Sequence, residues 1–114
     1  MMANDIFFFD SYAFIEIIKG NTNYEKYKDA ILVTTKLNLF EVAYFLLREF
    51  SNKEVDYFLE KEYNSIIDYD KEVIKEAANF KLAYKSRKLS MADCIGYVIA
   101  KRWEIKFLTG DKEF

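Results

Sequence analysis

Apolar and polar positions along the chain fall into two alternating kinds of block. Ile6-Phe7-Phe8-Phe9 is a short aromatic run that ends at Asp10, and Tyr12 to Lys19 resumes with helix-compatible spacing before stopping at Gly20. Strand and then helix are predicted. Ala30-Ile31-Leu32-Val33 is a second buried-strand pattern, and after Thr34-Thr35 the segment Leu39 to Phe50 gathers its apolar residues on one broad face, with Tyr44 and Arg48 opposite. Asn52 to Tyr63 reads as a charged amphipathic helix, Ser65-Ile66-Ile67 as a short strand ending at Asp68, and Asp70 to Lys85 as another amphipathic helix. Ser90 opens a helix through Ala100, and Ile105 to Thr109 forms a last strand before Gly110 and Asp111. Strands that alternate with helices and are apolar on both faces predict a three-layer α/β/α sandwich around a central parallel sheet. Functional sites in such folds form beyond the carboxyl ends of the strands.

Composition narrows the chemistry. With 114 residues, 52% of them hydrophobic, no proline and three glycines, the chain fits a single domain over 1–114 with no repeat or linker. With aromatics at 18% beside charged residues at 32%, the composition is not that of a disordered chain, and the uncharged runs are too short for a bilayer span, so no membrane association is expected. No secretory signal precedes the first apolar run, which makes the cytoplasm the expected compartment. The formal charge of −2 leaves no global basic field for nucleic acid, so any such binding must be local. Histidine is absent, which removes Ser-His and Cys-His nucleophile pairs, imidazole acid-base catalysis and the usual zinc sites. The single cysteine, Cys94, forms neither an internal disulfide nor a thiol-only metal site. Carboxylates, hydroxyls, lysine, arginine and a hard cation are left for catalysis.

Most acids sit in Lys/Glu-rich helical stretches and read as solvated faces. Four stand elsewhere. Asp10 follows four apolar residues at the end of the first strand, where it either caps the next helix or serves a site. Asp93 lies in a helix apolar on nearly every side, and an unpaired carboxylate buried there would be costly. Two readings compensate: Ser90-Met91-Ala92-Asp93 has the spacing of a capping box, and a metal would neutralise the charge. Asp111 follows the last strand, as a turn aspartate or a site residue. Glu41 falls near Tyr44 and Arg48 on a helical wheel, and Asn38 is placed to cap that helix with Glu41 three residues on. Asp10, Asp111 and the first turn of the Ser90 helix can meet above one sheet edge, and acids converge there only around a cation. Without histidine, such a cluster suits Mg2+ or Mn2+ ions that activate water and steady a phosphoryl oxygen during in-line displacement.

Taken together these motifs resemble the PIN-domain nuclease family, and within it the VapC-like ribonuclease toxins of toxin-antitoxin pairs. The resemblance spans nearly the whole chain: IFFFDS with Asp10 and Ser11, LNLFEVAYFLL with Glu41, LSMADCIGYVIA with Asp93, and IKFLTGDKEF with Thr109 and Asp111, in the family's order and approximate spacing. It implies an RNA phosphodiesterase in which Asp10, Glu41, Asp93 and Asp111 bind Mg2+ or Mn2+ and Ser11 and Thr109 assist. It also implies a homodimer and a small VapB-like antitoxin whose tail blocks the acidic pocket.

Lys85, Arg87 and Lys88 cluster before the Asp93 helix and Lys112 lies beside Asp111, so they either hold RNA phosphates or belong to solvated loops. Tyr12 is placed to stack on a base or to pack in a core. Rival readings are weaker. An aspartate-nucleophile phosphatase needs a second aspartate at the position of Tyr12, and a phosphoacceptor domain built on Asp68 needs an acidic pair where only Asp10 stands. A catalytically silent scaffold, or an RNA-processing nuclease without an antitoxin, remains as an alternative.

Overall fold

The computed structural model describes residues 5–110. Its sheet has three parallel strands in the order β2-β1-β3: β1 (Ile6–Phe9), β2 (Ile31–Val33) and β3 (Lys106–Leu108). The central strand pairs Phe8 with Val33 on one side and with Phe107 on the other. Five helices surround it: α1 (Ser11–Ile18), α2 (Lys36–Glu49), α3 (Asn52–Glu62), α4 (Lys71–Ala83) and α5 (Met91–Trp103).

The uninterrupted apolar run of β1 is explained by the layer on each side of it. Phe7 and Phe9 point into a core built with Ala13, Phe14, Val42 and Phe58 of α1, α2 and α3. Phe8, one residue out of phase, enters a second core with Val73 and Ala77 of α4 and with Val98 and Ile99 of α5. The three-layer α/β/α sandwich with a central parallel sheet follows from that alternation. Gly96 lets α5 approach closely: a Cβ there would lie 2.5 Å from Cε1 of Phe8, whose ring is fully buried and has nowhere to go.

Helix starts are fixed by short polar side chains. Asp10 Oδ1 accepts from Ala13 N at 2.8 Å, Asp70 Oδ1 accepts from Val73 N at 3.1 Å, and Ser90 with Asp93 closes a full capping box on α5. Two expectations are corrected. The helix expected from Leu39, with Asn38 as its cap, begins at Lys36 and is capped by Thr35, so Asn38 lies inside its first turn. The expected strand at Ser65 to Ile67 is reduced to one parallel bridge between Thr34 and Ile66, because a 3-10 turn over Tyr63–Ser65 takes the residues that would extend it. No helix among the described residues is long and apolar enough to cross a membrane.

Candidate active site

Every strand of the parallel sheet ends at the same edge, and the chain places its small polar residues there. Asp10 is completely buried. Its backbone N–H donates to the Leu108 carbonyl at 3.1 Å, and the preceding Phe9 carbonyl accepts from Thr34 Oγ1 at 2.9 Å, so both neighbouring strand ends hold the β1 terminus. A directed chain of hydrogen bonds begins beside it. Thr35 Oγ1 donates to Asn38 Oδ1 at 2.6 Å, Asn38 Nδ2 donates to Ser11 Oγ at 3.2 Å, and Ser11 Oγ donates to Glu41 Oε1. Thr35, Asn38 and Ser11 are buried and Glu41 is half-buried, so three neutral groups end on one carboxylate that faces outward.

The third acid arrives from the other layer. Asp93 is 5% exposed, and its Oδ2 accepts from Ser90 N at 2.9 Å while Ser90 Oγ accepts from Asp93 N at 3.0 Å. The capping-box reading of Asp93 therefore holds in the structure, and the carboxylate also borders a cleft. That cleft, of about 630 Å³, is lined by Ser11, Glu41 and Asp93 together with Lys19, Arg48 and Lys88, and by the aromatic rings of Tyr12, Phe40, Tyr44 and Phe45. Asp10, fully buried, does not line it.

Other expected positions do not line this cleft, although the end of β3 stays beside it: the Leu108 carbonyl accepts from Asp10 N, and a Cβ at Gly110 would lie 3.5 Å from Cβ of Tyr12. The Thr109 carbonyl accepts from the Tyr24 hydroxyl at 3.1 Å. Asp111 and Lys112 lie outside the described residues. Of the basic cluster, Lys88 reaches the cleft from a left-handed backbone at φ 54°, whereas Lys85 and Arg87 sit on an exposed 3-10 turn and do not line it, with the Arg87 guanidinium 5.4 Å from the Tyr84 ring centre. Asp68 borders a different cleft, with Asp70, Arg102 and Trp103. Lys19 and Asn38 were not foreseen as site residues. Arg48 and Tyr44 were visible beside Glu41 by helical spacing, but their place in a cleft depends on how α1 docks against α2.

Burial, followed by the carboxylates of Glu16 and Asp10, pushes the Tyr24 phenol above its ordinary value, so it stays a neutral donor at pH 7. Burial also pushes the Cys94 thiol up and leaves it inert as a nucleophile. Carboxylate and hydroxyl oxygens are hard ligands of the kind magnesium or manganese takes, so the donor chemistry fits such an ion. Among the described residues no three acids stand close enough together to enclose one.

Acids and hydroxyls thus border a cleft at the carboxyl edge of a three-layer parallel α/β fold, where such folds place their sites. A family model described as PIN domain matches residues 7–114, and the chain belongs to that family, whose members are generally nucleases. Among solved structures, a chain of a toxin-antitoxin complex from Klebsiella pneumoniae has a similar fold, with a TM-score of 0.67 over 91% of this chain and 88% of that chain at 16% identity. No curated protein sequence gives a significant match.

Proposed function

We propose that the chain is an Mg2+- or Mn2+-dependent endoribonuclease and the toxin of a toxin-antitoxin pair. The observation that carries the reading is that Ser11, Glu41 and Asp93, brought from the early turns of three helices, border one cleft at the carboxyl edge of the sheet. Membership of a family of nucleases supports the reaction class, and the likeness to a chain of a toxin-antitoxin complex supports the biological role. The acids Asp10, Glu41, Asp93 and Asp111 would hold the ion, which when bound supplies Lewis acidity and a more acidic water. The protein's own part is positioning. Asn38 holds the Ser11 oxygen, the Ser11 hydroxyl orients Glu41, and the capping box fixes the Asp93 carboxylate. Thr109 supports the strand end that leads to Asp111, and Lys88 offers a phosphate contact at the rim, with Lys85, Arg87 and Lys112 as outlying contacts. A VapB-like antitoxin, a homodimer, a single-domain chain and a cytoplasmic setting complete the proposal.

Purified protein should cleave single-stranded RNA with magnesium or manganese and lose that activity in excess EDTA. Undiminished cleavage in EDTA would sink the metal mechanism. Growth arrest on induction, relieved by co-expressing a small adjacent reading frame, separates a toxin from a processing nuclease. One observation favours the silent-scaffold alternative: Ser11 and Ser90 already satisfy Glu41 and Asp93 internally. That reading predicts no cleavage with either metal.

A further inference from the structure

The cleft changes character along its length. Helices α1 and α2 leave the carboxyl ends of adjacent parallel strands, so their first turns share one edge. Ser11, Tyr12, Ile15 and Lys19 occupy the cleft face of α1, and Phe40, Glu41, Tyr44 and Arg48 that of α2. At 1.5 Å per residue, Lys19 lies about 12 Å beyond Ser11 and Arg48 about 10 Å beyond Glu41 along their helices. Glu41 and Ser11 therefore stand toward one end and Lys19 and Arg48 toward the other, with Arg48 also paired to the exposed Glu49 at 3.2 Å and Lys88 bordering the cleft near Asp93. Between them are aromatic rings that core packing does not account for: Phe40 is 71% exposed, Tyr44 57% and Tyr12 46%. The Arg48 guanidinium lies 5.5 Å from the Tyr44 ring centre and steadies that ring.

We propose that Phe40, Tyr44 and Tyr12 form a stacking shelf for unpaired bases of single-stranded RNA, with Arg48 and Lys19 receiving the phosphate beyond the stacked base. The inference rests on the reading of this cleft as the place where RNA binds, and adds to it which residues read the substrate as single-stranded. A polynucleotide presents anions and flat rings in alternation, and the cleft presents cations and flat rings in the same alternation. Duplex RNA hides the faces of its bases and cannot use the shelf.

The test is binding, in EDTA, of a short single-stranded RNA oligomer carrying one 2-aminopurine, read by fluorescence quenching and by anisotropy. Because Phe40 and Tyr44 are exposed, leucine replaces their bulk without disturbing the core. Wild type should quench the probe. Tyr44→Leu and Phe40→Leu should each weaken binding by roughly 5- to 100-fold and remove the quench, whereas Tyr44→Phe retains both. With an abasic nucleotide in place of 2-aminopurine, wild type and Tyr44→Leu should bind alike. Equal affinity of wild type and Tyr44→Leu for the 2-aminopurine oligomer would overturn the shelf, as would an equal weakening on the abasic oligomer. Unchanged RNA binding combined with lost binding of a protein partner would overturn it in favour of a protein-docking face. The two readings separate cleanly. Quenching by Tyr44 without cleavage in magnesium or manganese leaves the shelf standing and removes the nuclease, and cleavage with an unaltered KM in Tyr44→Leu does the reverse.

Discussion

Glu41 and Asp93 border the same cleft but are held in opposite ways. The hydrogen bonds that fix Asp93 run to Ser90, three residues earlier, and both belong to the start of one helix. The bond that fixes Glu41 comes from Ser11, thirty residues away in another helix, and Ser11 is itself held by the buried amide of Asn38. The capping box of Asp93 can form whenever α5 forms. The Glu41 corner exists only once the β1-α1 and β2-α2 units have docked, so it reports tertiary assembly where its counterpart reports helix initiation. Substitutions at the two corners should differ accordingly in cost.

The largest effect is expected at Asn38. Its amide is completely buried, accepts from Thr35 and donates to Ser11, and leucine would leave both hydroxyls without those partners. The loss should be about 2–4 kcal/mol. At roughly 4–8 °C per kcal/mol for a small domain, the melting temperature should fall on the order of 10–20 °C. Thermal unfolding followed by circular dichroism measures it, and a fall of only a degree or two would mean that the network contributes nothing to docking. Glu41→Gln keeps an acceptor for Ser11 at a half-buried position and should stay within about 0.5 kcal/mol of wild type.

At the local corner the expected cost is smaller. Asp93→Ala removes the acceptor for the Ser90 N–H and should cost about 1 kcal/mol, whereas Asp93→Asn retains an oxygen there and should cost a few tenths. Both values apply in EDTA, where no ion contributes. In magnesium at about a hundred times its dissociation constant, wild type should gain roughly 2.7 kcal/mol, and Asp93→Asn should lose most of that gain while still capping its helix. Urea titrations of the three proteins in both buffers separate the roles. If Asp93→Ala proved as damaging as Asn38→Leu in EDTA, the distinction between a local and a docked corner would collapse.

The same distinction explains what could be read from the residues alone. The apolar run before Asp10, the capping spacing from Ser90 to Asp93 and the strand before Gly110 are local signals, and the structure contains each of them. Non-local facts were not legible. Asn38 has the chemistry of a helix cap, and only the docking of α1 turns its amide toward Ser11. Ser65-Ile66-Ile67 has the composition of a strand, but the 3-10 turn ahead of it leaves one bridge to Thr34. Lys19, at the end of a helix beside Gly20, carries no signal that distinguishes it from a solvated lysine until α2 closes the cleft beside it.

Tyr24 offers the smallest and most selective extension of this contrast, because its hydroxyl makes a docked contact with the Thr109 carbonyl, 85 residues away. At neutral pH Tyr24→Phe should cost about 0.5 kcal/mol, a typical net value for one partly exposed neutral hydrogen bond. The pH dependence is the sharper readout. Burial and the nearby Glu16 and Asp10 carboxylates raise the phenol above its ordinary value near 10.0, so the folded protein holds this proton more tightly than the unfolded chain does. Such a group contributes stability that is fully present below the unfolded pKa and is lost as pH rises through the higher folded value. Wild type should therefore lose stability above about pH 10 more steeply than Tyr24→Phe, and the difference between the two cancels the titration of the other tyrosines and the lysines. Urea midpoints from neutral to strongly alkaline pH provide the comparison. Parallel curves for the two proteins would show that the Tyr24 proton is not coupled to folding.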